Sequence, residues 1–316
     1  MAMHIGIIGA GLAGLACGER LRQAGCDVTL YDKGRGAGGR MATRRVTTEQ
    51  GDASFDHGAQ YFTARDMAFR AQVAAWHEAG LVAPWPASGT HAWVGAPSMN
   101  APVRHLAGKA NVHWSVQVAG LTQVDGAWAI QGTAFDAVLV AVPAEQVVPL
   151  LKPWAPEIAQ AAAATKSQPC WTVMAAFAER LSPSTDTMRE QGIIGWAARN
   201  SAKPGRSGPE SWVIQAGPEW SQAHLEEAAE AVLPQILSAF AQILGAPLPP
   251  TLVASAHRWR YAQCGACAAG EGAIWDAALR LGACGDWLLG PRVESAWLSG
   301  RRLAEQVIAT AHEGGQ

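Results

Sequence analysis

The stretch HIGIIGAGLAGLACGERLRQAGCDVTLYDK holds three glycines, Gly9, Gly11 and Gly14, in G-x-G-x-x-G spacing, and an acid, Asp32, eighteen residues after the last of them. Each residue type has a physical reason to be there. Gly9 permits a tight turn, Gly11 lets the backbone approach a pyrophosphate, and Gly14 lets a helix lie close against a strand. Leu12 and Ala13 open that helix, and its N-terminal amides face phosphate oxygens. Asp32 stands where a carboxylate accepts hydrogen bonds from a ribose hydroxyl, with Lys33 bordering the adenosine end. The ligand this spacing fits is a dinucleotide.

A second glycine hinge follows in DKGRGAGGRMATRR, where Gly36, Gly38 and Gly39 precede Arg40 and Met41. In a bare NAD fold the second strand leads to the next crossover helix. An FAD molecule lies extended and needs another loop beyond the first helix, so this order points to FAD. Gly38 and Gly39 let the backbone come close, and Arg40 offers fork-like donors to phosphate oxygens. Arg44 and Arg45 stay unassigned between a solvated role and a substrate-phosphate role.

Further along, His257, Trp259 and Tyr261 alternate and so share one face of a strand. That face suits a flat ligand, and it suits core packing around a satisfied histidine equally well. Cys264 and Cys267 form C-x-x-C, which raises dithiol chemistry. The pair follows a strand instead of opening a helix, and no second pair exists to complete a metal site, so incidental loop thiols are expected. No Ser-His-Asp or paired-carboxylate spacing stands out. Such silence fits chemistry done by a cofactor that the protein binds and orients.

These residues need elements to hold them. Ile5, Ile7 and Ile8 read as a buried strand, the helix after Gly11 stops at Gly25, and Val28, Leu30 and Tyr31 make a second strand. NVHWSVQVAGL and GAWAIQG alternate like antiparallel strands joined at Asp125-Gly126. FDAVLVAVPAEQVVPLL is a continuous apolar strand stopped by Pro143. DMAFRAQVAAWHEAG is a helix capped by Asp66 with Phe69, Val73 and Trp76 on one face. SQAHLEEAAEAVLPQILSAFAQILG reads as one long helix, kinked at Pro234, with Leu225, Val232, Ile236 and Phe240 on its apolar side. CWTVMAAFA and SWVIQAG read as sheet strands lining a cavity, and a C-terminal helix begins near Val293, with Ala296, Leu298, Leu303 and Val307 at helical spacing.

Composition narrows the function classes. In 316 residues, 49% are hydrophobic and 16% charged, as expected of a globular enzyme-sized chain. A net charge of -2 argues against a nucleic-acid partner. No run reaches the ~18 apolar residues of a membrane span, and no secretory leader is read. The six cysteines show no framework spacing, so a reducing cytoplasm is the expected location. Fourteen tryptophans against three tyrosines and six phenylalanines mostly serve packing.

The segments GAGLAGL, DKGRGAGGRM, DHGAQYFTARD, WVGAPSMN, HRWRYAQ and CGDWLLGPRVESAWLSGRRLAEQV, spread from residue 9 to residue 307, resemble the flavin-containing amine-oxidase superfamily. Within it the chain resembles the renalase-like bacterial FAD-dependent oxidoreductases. The resemblance implies a Rossmann-type FAD-binding domain interleaved with a substrate domain, an α/β fold (α+β in the substrate domain) like that of p-hydroxybenzoate hydroxylase. The expected partition is 1–64, 103–145 and 276–316 for FAD, and 65–102 and 146–275 for substrate. The resemblance also implies a flavin contact at Gln60 and Tyr61, an adenine-side backbone contact at Val118, a ribityl contact at Asp286, and the helix start at Val293 aimed at the flavin pyrimidine edge. Pro291 and Ser295 depart from the glycines usual in relatives.

Candidates beside the flavin are Gln60, Tyr61, Asn200, His257, Trp259, Tyr261 and Trp287. FAD is expected to be noncovalent, because no cysteine of the tail matches a covalent flavin site. The activity implied is oxidation of 2- or 6-dihydroNAD(P) to NAD(P)+ by hydride transfer to flavin N5, with O2 reduced to H2O2. A flavin-containing amine oxidase acting on a small amine and a non-catalytic FAD-binding ligand sensor are the alternatives. Oligomeric state, isomer preference and NAD versus NADP preference are left open.

Overall fold

A computed structural model describes residues 3–182, 184–265 and 271–313. The chain starts with β1 (His4–Ile8), α1 (Leu12–Gln23) and β2 (Asp27–Asp32), a parallel βαβ beginning. Gly14 allows α1 to sit on the turn: a Cβ there would lie 1.9 Å from the Gly9 carbonyl oxygen. After a single 3-10 turn at Gly39–Met41 come β3 (Thr43–Thr48) and β4 (Gly51–Asp56), an antiparallel ribbon. The helix α2 (Met67–Glu78) has the expected cap, since the Asp66 carboxylate accepts from the Ala68 and Phe69 amides, and it buries Phe69, Val73 and Trp76. Two short strands, β5 (Val82–Pro84) and β6 (Trp93–Gly95), pair with each other before α3 (Ala101–Ala107).

The next segment corrects the sequence reading. Only Asn111–Trp114 of NVHWSVQVAGL forms a strand, β7, and it pairs parallel with β2 at the sheet edge. The hairpin at Asp125-Gly126 is real but joins β8 (Thr122–Val124) to β9 (Ala127–Ile130), continued by β10 (Thr133–Phe135). Both turn residues have positive φ, 51° and 80°, as a two-residue hairpin of this kind requires. Val118 therefore lies in the irregular passage between β7 and β8, half-buried against the core. Alternation alone does not tell a parallel edge strand from a hairpin arm, and the register comes from the Val116 amide bonding the Asp32 carbonyl at 2.9 Å. The strand β11 (Ala137–Val140) is wholly buried and parallel to β1, and Pro143 ends it before α4 (Ala144–Leu151) and α5 (Pro156–Ala163).

The second sheet is antiparallel. It holds β12 (Ser167–Phe177), β13 (Thr187–Gln191), β14 (Ile194–Arg199) and β15 (Glu210–Ala216). The expected long helix is two helices, α6 (Pro218–Ala223) and α7 (Ala229–Leu244), with Pro234 inside the second and Leu225 in the break. At the break Glu226 pairs with Arg258 and Arg260 of the later strand, and Arg258 also donates to the Leu225 carbonyl, which a continuous helix would use itself. Val232, Ile236 and Phe240 are buried as expected. Then come β16 (Thr251–Cys264), β17 (Ile274–Asp276), β18 (Leu281–Ala283) and α8 (Val293–Glu313).

The six-stranded sheet has the order β17-β18-β11-β1-β2-β7 and the five-stranded sheet the order β13-β14-β15-β12-β16. Ile5, Ile7 and Leu30 face α1, α2 and α8 on one side of the first sheet, while Ile8, Tyr31 and Val138 face the β8–β10 meander, α4 and α5 on the other. Close contact of α1 with α8 depends on Gly300, where a Cβ would lie 2.0 Å from the Ala13 carbonyl oxygen. This is a Rossmann-like dinucleotide-binding α/β body joined to an α+β body, as expected. Among the described residues, no helix is long and apolar enough to cross a membrane.

Candidate functional site

The two glycine hinges meet. A Cβ built on Gly39, at φ +52°, would sit 3.6 Å from the Gly11 Cα. A Cβ on Gly11 would have nothing within 4 Å, so the ground before the α1 N-terminus is open to a ligand. That helix has no side-chain cap and no acid in its first turn, which leaves its amides for an anion. Asp32 stiffens the turn, its carboxylate accepting from the Ala10 amide at 2.7 Å and the Gly34 amide at 2.6 Å. Each oxygen keeps a further lone pair for a hydroxyl. Lys33 Nζ donates to the Gln146 side-chain Oε1 at 3.1 Å. Leu12, Ala13 and Met41 are buried and support the loops from below.

Arg40 and Asp286, 246 positions apart, form a fork-like pair at 2.6 and 2.8 Å. Asp286 opens the short 3-10 turn after β18, and the α8 N-terminus at Val293 follows. The Glu294 carboxylate in the first turn of α8 accepts from the Arg65 and Asp66 amides at 2.6 and 2.7 Å, which ties the entrance of α2 to this helix. The cysteine nearest this turn, Cys284, is buried, and burial together with this neighbour pushes the Cys17 thiol up.

The loop after β4 closes onto the same place. The Ala59 amide donates to the Arg40 carbonyl, and only glycine fits at position 58, where a Cβ would lie 2.0 Å from that oxygen. Gln60 is buried; its side-chain Nε2 donates to the Asp56 and Gly58 backbone carbonyls, and its Oε1 accepts from Lys203 at 3.2 Å. Beneath it lies a wholly buried charge cluster. Asp56 Oδ2 accepts from Lys203 Nζ at 3.2 Å and from Arg206, and Oδ1 accepts from the Thr43 hydroxyl at 2.7 Å and the Met99 amide at 3.0 Å. Burial alone would raise the Asp56 carboxyl, but the two cations and these donors hold it well below the usual carboxylate range. Burial lowers the Lys203 ammonium against the pull of Asp56. Asn200 is also buried, binding the Ser54 carbonyl and the Asp56 amide, and it clamps β4 to the second sheet.

His57 stacks on Trp259 at 5.2 Å and meets His257 edge-on at 5.1 Å, and the Trp259 indole donates to the His57 carbonyl at 2.8 Å. The His57 Nδ1 is buried with no hydrogen-bond partner. Burial, then His257 and Arg44, lower His57 to about 4, while burial and Arg44 lower His257. Tyr61 lies 5.5 Å from Trp196, and the Arg189 guanidinium sits 4.3 Å over Trp196. Tyr261 lies further along β16, between Trp259 and Gln263, where the pairing with β12 shifts register. Trp287 is 1% exposed, packed with the core on the meander side, and its indole nitrogen is buried without a hydrogen-bond partner. Cys264 ends β16 in a buried position, and Cys267 lies outside the described residues. Among the described residues, no group of His, Cys, Asp and Glu could hold a metal ion.

Sequence reasoning missed His57, Arg189, Trp196, Lys203 and Arg206 as site residues. His57 was within reach, since it sits inside DHGAQY. The others carry no local motif; strand register and loop packing bring them in.

Comparison with known proteins gives a family and a fold. Residues 7–75 match the NAD(P)-binding Rossmann-like domain, and residues 79–308 match the family of flavin containing amine oxidoreductases. Among solved structures, a protein assigned as a protoporphyrinogen oxidase from Exiguobacterium sp. 255-15 is 14% identical, with a TM-score of 0.74 over 98% of this chain and 99% of that one. Putrescine oxidase bound to putrescine is 14% identical, with a TM-score of 0.71 over 98% and 99%. Cyclohexylamine oxidase from Brevibacterium oxydans IH-35A is 11% identical, with a TM-score of 0.69 over 99% and 100%. The chain belongs to the flavin-containing amine oxidoreductase family and is an FAD-dependent oxidoreductase. Its open glycine cradle and uncapped α1 N-terminus fit FAD.

Proposed function

We propose that the chain is a renalase-like oxidase that takes an anionic dihydropyridine nucleotide, the 2- or 6-dihydro isomer of NAD(P)H, and returns NAD(P)+, with O2 as electron acceptor. The observation that carries this reading is the sign of the charge around the aromatic rings. Arg44 acts on both His57 and His257, Arg189 lies over Trp196, and the nearby carboxylate, Asp56, is already matched by Lys203 and Arg206. Two like charges about 6 Å apart repel by about 3 kcal/mol at an effective dielectric of about 20. A protonated amine meets that repulsion here, whereas a neutral ring with an anionic tail is drawn in.

FAD, when bound, would supply the hydride acceptor and the route for the electrons to O2, which would leave as H2O2. The chain's own residues hold and orient. Gly9, Gly11, Gly14 and the amides of Leu12 and Ala13 take the pyrophosphate, Asp32 and Lys33 the adenosine side with Val118, and Gly39, Arg40 and Met41 the second loop. Asp286, paired with Arg40, would hold the ribityl chain, and the helix beginning at Val293 would face the flavin, without a covalent link. Gln60, fixed by Lys203, and Tyr61 border the ring, and His57, neutral at pH 7, stiffens the Trp259 and His257 side. Segments 1–64, 103–145 and 276–316 serve the cofactor, and 65–102 and 146–275 the substrate.

A second reading, oxidation of a small amine, is favoured by the family description and by the Tyr61–Trp196 ring pair. Against it, Arg189 already occupies the face of Trp196 on which an amine cation would stack. Oxygen uptake by the FAD-loaded enzyme decides between the two. The expected result is kcat/KM for a 2- or 6-dihydro nucleotide at least ~100-fold above that for putrescine, cyclohexylamine or benzylamine, the ratio that about 3 kcal/mol gives. The reverse order sinks the proposal.

A further inference from the structure

One row of side chains crosses the whole five-stranded sheet. Cross-strand partners run from Arg189 to Trp196, from Trp196 to Gln215, from Gln215 to Thr172 and from Thr172 to His257. Directly opposed residues share a face, so these five residues, one per strand, lie together on the side away from α7. The other side is the apolar one, where Met188, Ala197, Ile214 and Val173 pack with Val232, Ile236 and Phe240.

The row has unlike ends. At one, His257 joins His57 and Trp259 in a half-buried cluster of rings. In the middle, Gln215 donates to the Gly58 carbonyl at 2.9 Å, which holds the loop bearing Gln60 and Tyr61 to the sheet. At the other end Arg189 is exposed. Its guanidinium lies 4.3 Å over Trp196 and 5.6 Å from the Tyr61 ring centroid, and Nη2 donates to the Tyr61 hydroxyl at 3.3 Å and to the Ser88 carbonyl and hydroxyl at 3.4 Å. Among the described residues, no carboxylate pairs with Arg189, and its Nη1 and Nε make no hydrogen bond. The group is thus oriented by two rings and a loop, with donors left over. Strand spacing puts it about 10 Å along the row from Gln215, a span that a ribose followed by a diphosphate covers.

We propose that Arg189 is the specificity-determining residue of this site: its guanidinium takes the diphosphate of the dinucleotide at the rim while the pyridine ring lies further along the row, towards Thr172 and His257. The inference rests on the dihydropyridine-nucleotide reading and adds how that class is selected. It follows that the phosphate-bearing tail, and not the ring, is what Arg189 senses. Lysine is a poor substitute, since it lacks the planar fork and stacks weakly on Trp196.

The test is calorimetric titration of the FAD-loaded protein with NAD+ and with phosphate-free nicotinamide riboside, in wild type, Arg189→Gln and Arg189→Lys. Loss of a charge-assisted contact predicts NAD+ affinity ~10- to 100-fold weaker in Arg189→Gln, with Arg189→Lys in between and riboside affinity within ~2-fold throughout. KM for the dihydro dinucleotide rises in the same order. Equal losses for NAD+ and riboside, or no loss for either, overturn the inference while leaving the proposed reaction standing. If wild type neither binds NAD+ nor oxidises a dihydro nucleotide, the proposed reaction fails and this inference falls with it.

Discussion

Replacing Asp56 by asparagine removes the one negative charge from a site where its side chain, Lys203 and Arg206 are all 0% exposed. Shape is nearly kept, so the Thr43 and Met99 donors still find an acceptor. What changes is the balance of charge: two buried cations, Lys203 at 3.2 Å and Arg206, are left without an anion. Breaking a buried pair from one side costs about 3–5 kcal/mol, and asparagine's amide donors facing two cations keep the cost at the upper end. Lysine 203 replaced by methionine (Lys203→Met) is the informative partner. It leaves Asp56 and Arg206 as a one-to-one pair, keeps most of the stem's volume under Trp85, and relieves an ammonium that burial already disfavours. Its cost is the lost hydrogen bond to Gln60, about 1 kcal/mol. Urea titrations of the FAD-loaded protein, followed by far-UV circular dichroism and tryptophan fluorescence, measure both, and coincidence of the two probes checks for a single transition. The double variant should recover part of the Asp56→Asn loss, since it removes one stranded cation. A D56N protein within about 1 kcal/mol of wild type, or a K203M protein as unstable as D56N, refutes the reasoning.

Gly11→Ala and Gly300→Ala separate cofactor binding from folding. A Cβ on Gly11 meets nothing of the chain within 4 Å, so G11A should fold with wild-type stability yet purify with little FAD, read from the ratio of visible to ultraviolet absorbance. A Cβ on Gly300 lies 2.0 Å from the Ala13 carbonyl oxygen, so G300A should push α8 off α1 and lower stability by ~1–3 kcal/mol or more. His57 predicts a pH dependence. Its value falls from 6.5 unfolded to about 4 folded, so the unfolded chain binds more protons and stability drops as pH falls from 6.5 towards 4. The full loss is about 3 kcal/mol, and His57→Gln should flatten urea-midpoint curves over that window; an unchanged slope removes His57 as the cause.

Much of the cofactor side was readable because it is local. Gly9, Gly11 and Gly14 meet backbone constraints within a few residues, Asp32 closes the same turn, and Asp66 caps its own helix. Asp125 and Gly126 carry positive φ by their own chemistry. The substrate side was not readable in the same way. Lys203 and Arg206 reach Asp56 across 147 and 150 positions, and the row from Arg189 to His257 exists only once the sheet is in register. At the break between α6 and α7, Glu226 meets Arg258 and Arg260, contacts that helical periodicity does not contain.

The most direct test of the central claim is anaerobic mixing of the FAD-loaded protein with 2- or 6-dihydroNAD(P), with 4-dihydroNAD(P)H, and with a panel of primary amines, following the visible flavin band. The expected result is rapid, stoichiometric bleaching by a 2- or 6-dihydro isomer, with NAD(P)+ formed, and no bleaching by the amines. Bleaching by an amine alone would contradict it.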